Sequence, residues 1–178
     1  MKAARRAPRA PHAPHLGRAH QTLRAAAAGS ALQLTLRRRV RGWSPGRGEL
    51  MRWASAALGR SAAGRELGVC TVGAPESARL NARFRGRDQP TNVLSFPAAP
   101  LPGGGPAPLG ELVICPRVLR QEARAQARSL RAHWAHLVVH GALHLVGYDH
   151  EQAADARRME RREIAVLQRL GFANPYRS

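Results

Sequence analysis

Alternation of apolar and polar positions begins at "ALQLTL", residues 31–36, where Leu32, Leu34 and Leu36 recur every second residue and predict a strand. The period then lengthens. In "SPGRGELMRWASAALG", Leu50, Trp53 and Ala57 fall at helical spacing, with Ser44 as the expected cap. A second strand, "ELGVCTV", leads into a short helix opened by Pro75 and closed by Gly86, with Leu80 and Phe84 on its inner face. The run "TNVLSF" predicts a third strand and "ELVICP" a fourth. Between them, "PAAPLPGGGPAPLG" is too dense in proline and glycine to hold a regular element.

Beyond Cys115 the period is helical throughout. Pro116 starts one helix, Ser129 caps another running through "LRAHWAHLVVHGALHLV", and a last one spans roughly Glu151 to Leu170 before Gly171. Strands interleaved with helices early and helices late predict an α+β domain: a small mixed four-stranded sheet with packed helices. The chain of 178 residues, 44% hydrophobic, suffices for one such domain, expected over residues 31–178. Residues 1–30 hold mostly Ala, Arg, Pro and His and are expected to be a disordered basic extension. An organelle-targeting peptide shares its arginine and alanine but carries more hydroxyl groups.

Charge narrows the partners. The net charge is +18, and residues 1–48 hold eleven basic side chains and no acid. Such a surplus favours a polyanion, since arginine contacts to phosphate release condensed counterions. It also reflects a general arginine bias, 28 Arg against one Lys. No run of 18 apolar residues occurs, so no membrane association is expected and a cytoplasmic location is. Cys70 and Cys115, each inside an apolar run, read as buried strand residues rather than a disulfide.

The chemistry concentrates in "VVHGALHLVGYDH". His140 and His144, four apart on a helix, present both rings on one face, about 5–6 Å apart at Cβ. That suits two ligands of one tetrahedral Zn²⁺. Ten residues of unbroken helix would carry His150 about 15 Å away. Gly147 stands where a left-handed cap ends the helix, which would let the chain turn back and bring His150 in as third ligand. One zinc per chain with one open coordination position is therefore expected, at the end of a helix. His133 and His136 read as ordinary core or surface residues, with His136 a candidate outer group. The spacing is also that of metzincin peptidases, but those place a glutamate general base where this chain has Gly141. A phosphodiester suits a metal paired with an arginine better.

The stretches "HWAHLVVHGALHLVGYDH", "LNARFRGRDQPTNVLSFP" and "LGELVICP" closely resemble the YbeY family of bacterial endoribonucleases, from about residue 31 to Tyr176. The resemblance implies a metal-dependent enzyme cutting single-stranded RNA, acting in 3′-end maturation of small-subunit rRNA and in ribosome quality control. It makes His140, His144 and His150 the zinc ligands and Arg85 the arginine needed for activity. Arg83 and Arg87 flank it as candidate RNA contacts. Tyr148 and Asp149 are candidates to orient a ligand histidine, although capping the last helix explains Asp149 equally well. In the family the later strand usually starts with Gly-Asp, and here it is Gly110-Glu111. A ribosome-assembly factor with a structural zinc, and a metallopeptidase, are the alternatives.

Overall fold

The computed structural model describes residues 31–99, 108–148 and 152–177. Its elements run β1 (Gln33–Arg38), α1 (Arg47–Leu58), β2 (Glu66–Thr71), α2 (Ala74–Arg85), β3 (Val93–Pro97), β4 (Gly110–Ile114), α3 (Pro116–Ala125), α4 (Leu130–Leu145) and α5 (Ala153–Arg169). The strands form one mixed sheet in the order β1-β2-β4-β3. β1, β2 and β4 are parallel, and β3 closes one edge antiparallel to β4. The expected α+β class and four-stranded mixed sheet are thus observed. The predicted basic extension 1–30 lies outside the described residues, as do most of the proline and glycine loop and Asp149, His150 and Glu151.

Alternation along the strands sorts two faces. Leu34, Leu67, Val69, Val93, Leu112 and Ile114 point into the main core, where α1 and α4 pack. Cys70, Leu94 and Val113 point the other way and meet Leu80 of α2. Phe84 adds an edge-to-face contact with Phe96 of β3, ring centroids 5.0 Å apart. Both cysteines are buried and free, as expected. One cap differs from expectation: Gly46, not Ser44, precedes α1. Ser44 stands two residues before that cap, and its hydroxyl accepts from Arg38 Nε at 2.9 Å.

Helix α4 is the centre of the molecule. It is apolar almost all round, with Trp134, Ala135, Val138, Val139 and Ala142 fully buried between the sheet and the other helices. Ser129 caps its start, accepting from Ala132 N at 3.2 Å. Gly147 ends it in the left-handed region, φ +86°, and Tyr148 N donates back to Leu143 O at 3.1 Å. Where α4 crosses the sheet, Gly141 permits the approach: an added Cβ would lie 2.8 Å from Leu112 Cδ2 and 3.0 Å from Ser95 Oγ. Ser95 Oγ donates to the Gly141 carbonyl at 3.2 Å across the same contact. Position 141 therefore faces strands β3 and β4, and a side chain there has nowhere to go.

Replacing Gly141 with Glu should thus overpack the sheet contact and bury an unpaired carboxylate, lowering stability by about 3 kcal/mol or more. Urea unfolding measures this; a loss under about 1 kcal/mol would show that the contact is looser than described.

Candidate metal and RNA site

On α4, the histidines 133, 136, 140 and 144, at spacings of three, four and four, make one stripe on an otherwise apolar helix. Their ring centroids follow one another at 6.3, 6.3 and 4.6 Å. In so buried a place each polar ring needs partners, and neighbouring helices supply two carboxylates. His133 Nε2 lies 2.8 Å from Glu122 of α3, which also accepts from Asn92 Nδ2 at 3.0 and 3.1 Å. Glu163 of α5 serves the next two: Oε2 is 3.0 Å from His136 Nε2, and Oε1 is 2.8 Å from His140 Nδ1. Tyr176 donates its hydroxyl to the same Oε2.

Glu163 is wholly buried. Burial alone would raise its carboxyl above the ordinary range, but hydrogen bonds from His136 and His140, the His140 charge and the Tyr176 hydroxyl outweigh it and hold the group at about 2. Burial and the adjacent carboxylate push the Tyr176 phenol up, so it stays a donor. Burial also acts against ionised Glu122, and bonds from His133 and Asn92 overcome it and lower its carboxyl.

An anionic Glu163 accepts, so His140 Nδ1 carries a proton, and in the neutral ring the lone pair then lies on Nε2. His140 Nε2 faces His144 Nε2, 3.2 Å away. Two nitrogen ligands of a tetrahedral zinc with bonds of about 2.0–2.1 Å stand about 3.3–3.4 Å apart, close to the separation of this pair. Among the described residues no group of three potential ligands is assembled. The expected third ligand, His150, and its neighbour Asp149 lie outside them. A cleft of about 190 Å³ opens beside His140, lined by Ala156, Met159, Glu160, Glu163 and Tyr176.

Arg85 ends α2, exposed at the other face of the sheet, with Arg83 and Arg87 also exposed. The turn after it is fixed: Ser77 Oγ donates to Thr91 O at 2.8 Å and accepts from Thr91 N at 2.9 Å, and Asn81 Nδ2 donates to Gln89 O at 2.8 Å. Arg83 lies 5.3 Å from the Phe84 ring centre. Edge strand β3 relates the two regions. Its Phe96 packs against the neighbour of Arg85, and its Ser95 bonds the neighbour of His140 on the opposite face. Glu111, the departure from the usual Gly-Asp, leans over Gly68 and pairs with Arg37, away from the histidines.

Glu163, Tyr176 and Asn92 were not singled out by the sequence. Glu163 did leave a trace, because it falls among Met159, Val166 and Leu167 on the buried face of α5, where an acid needs a reason.

The profile of the family described as Endoribonuclease YbeY matches residues 48–171. A Methylococcus capsulatus protein of that name is 49% identical over 147 residues, 82% of this chain and 96% of that protein. A solution structure of a Thermotoga maritima protein covers 81% of this chain and all of its own, at 24% identity and a TM-score of 0.48. Among the described residues, no helix is long and apolar enough to cross a membrane.

Because its folded-state value of about 2 lies below the ordinary 4.5, ionised Glu163 adds stability above pH 4.5 that is lost as pH falls toward 2. The contribution is on the order of 3 kcal/mol. Urea unfolding of wild type should weaken across that window, and Glu163→Gln, less stable at neutral pH, should weaken less steeply. Equal slopes would contradict the assignment.

Proposed function

This chain belongs to the YbeY endoribonuclease family, and we propose that it is a zinc-dependent endoribonuclease that cuts single-stranded RNA. Its proposed setting is the ribosome: 3′-end maturation of small-subunit rRNA and ribosome quality control, in the cytoplasm. Residues 31–178 form the catalytic domain in this reading. The observation that carries the metal assignment is the convergence of His140 Nε2 and His144 Nε2 at 3.2 Å, with His140 Nδ1 held by Glu163. His150 is assigned as the third ligand. Zinc held by three imidazoles supplies a Lewis acid that lowers the pKa of water to about 7 and polarises a phosphoryl oxygen.

The protein's own groups do the rest. Glu163 accepts from His140 Nδ1, so that in the neutral imidazole the lone pair lies on Nε2. Arg85 offers a planar fork that can hold a backbone phosphate of the same RNA strand on the far side of the β3 edge and so position that strand for cleavage. Arg83 and Arg87 extend that positive surface along an RNA backbone. An unpaired strand can bend around the β3 edge between the two regions more readily than a stiff duplex. A peptidase would need a carboxylate base beside the first histidine. Gly141 provides none, and its close contact with Leu112 leaves no room for one.

With zinc content verified, purified protein should cut single-stranded rRNA fragments and leave duplex intact. His144→Ala should lose zinc and cleavage together. Arg85→Ala should keep zinc while cleavage falls about 10²-fold. Wild-type protein that leaves the RNA whole, or His144→Ala that cuts equally well, would end the enzymatic reading. In cells, full pre-rRNA processing by Arg85→Ala would favour an assembly factor with a structural zinc.

A further inference from the structure

We propose that Tyr176 is a positioning residue for the ligand nitrogen of His140, acting through Glu163. The inference rests on His140 being a metal ligand, and it concerns how that ligand is aimed. Glu163 meets three donors from two parts of the chain: His136 and His140 on α4, and Tyr176 on the segment that follows α5. Oε1 faces His140, while Oε2 is shared by His136 and Tyr176. With the tyrosine bond in place the carboxylate plane is held from both ends. Without it, Glu163 can swing toward His136 and give up its grip on His140 Nδ1.

The segment carrying Tyr176 is fastened at points that do not involve Glu163. Phe172 N donates to Leu167 O at 2.9 Å, and its ring stands edge-on to Trp53, centroids 5.8 Å apart. Arg128 donates to the Pro175 carbonyl, and Tyr176 N donates to Asn174 Oδ1 at 2.9 Å. The ring of Tyr176 stands edge-on to His136, centroids 5.6 Å apart. Yet Tyr176 remains 44% exposed, one of two large apolar side chains so exposed among the described residues. An aromatic ring half in water adds little to the core. Its hydroxyl, by contrast, ends on a carboxylate that water does not reach. The anchored segment therefore serves to deliver that hydroxyl.

The consequence is a preset tautomer. A neutral imidazole can carry its proton on either nitrogen, and only the Nδ1–H form presents Nε2 to a cation. Partners behind a ligand histidine typically contribute 10–100-fold to metal affinity. Tyr176, one bond further out, should contribute about tenfold, at the low end of that range.

The test compares full-length wild type, Tyr176→Phe, Glu163→Gln and the double variant. Nitrogen NMR of the metal-free protein reads the His140 tautomer, and competition with a zinc chelator reads affinity. Tyr176→Phe should melt within a few degrees of wild type, show a mixed His140 tautomer and bind zinc about tenfold more weakly. The double variant should be no weaker than Glu163→Gln alone, because a residue acting through Glu163 has nothing left to act on. Arg128→Ala, which loosens the segment without touching Glu163, should shift both readouts the same way. If Tyr176→Phe folds poorly, that variant decides. A wild-type tautomer and affinity in Tyr176→Phe, or effects that add fully in the double variant, would overturn the proposal. Wild-type protein that binds no zinc would instead sink the metal reading, and the metal-free tautomer would still report on Tyr176.

Discussion

A helix enclosed by protein on nearly every side can carry polar side chains only where other elements bring them partners. Helix α4 carries four imidazoles. Each would cost several kcal/mol if left dry and unpaired, so the packing of α3 and α5 is tied to where Glu122 and Glu163 must sit. The two carboxylates differ in what they leave behind. Glu122 spends itself on His133 and Asn92, joining α3, α4 and the start of β3. Glu163 takes the far nitrogen of His140 and leaves the near one directed at His144. Satisfying the buried carboxylate and orienting the His140 ring are the same bond viewed from its two ends.

The sheet sets where that chemistry faces. Because Gly141 lets α4 settle onto β3 and β4, the histidine stripe is turned toward the α5 side, and nothing can project from position 141. Edge strand β3 then carries consecutive residues to opposite faces, Ser95 to α4 and Phe96 to α2. The arginine turn and the histidine pair thereby share one short strand although they lie on different sides of the sheet. Ser77 and Asn81 hold that turn through its backbone, which leaves the charged side chains of residues 83–87 at the surface.

What could be read from the sequence was what local physics determines. The His140 and His144 spacing, the Ser129 cap, the Gly86 and Gly147 helix ends and the strand alternation each depend on a few neighbouring residues, and each is observed. The Ser44 cap is not observed because the helix begins after Pro45 and Gly46, and the hydroxyl of Ser44 accepts from Arg38 on the preceding strand. Glu163 and Tyr176 are separated from His140 by 23 and 36 residues, and no helical or strand period connects them. In "RRMERREIAVLQR" the acid resembles a partner for its flanking arginines, and only its place on the buried stripe says otherwise. Gly141 was read as the absence of a catalytic base. It is foremost a packing requirement, and the missing base follows from it.

The central claim is that His140 and His144 share a zinc that keeps a position open for chemistry. X-ray absorption at the zinc edge of the purified full-length protein tests it most directly. The account predicts one zinc per chain, surrounded by three imidazole nitrogens at about 2.0–2.1 Å and one further light atom from solvent. A site closed by four protein ligands, sulfur among the neighbours, or protein that carries no zinc would contradict it.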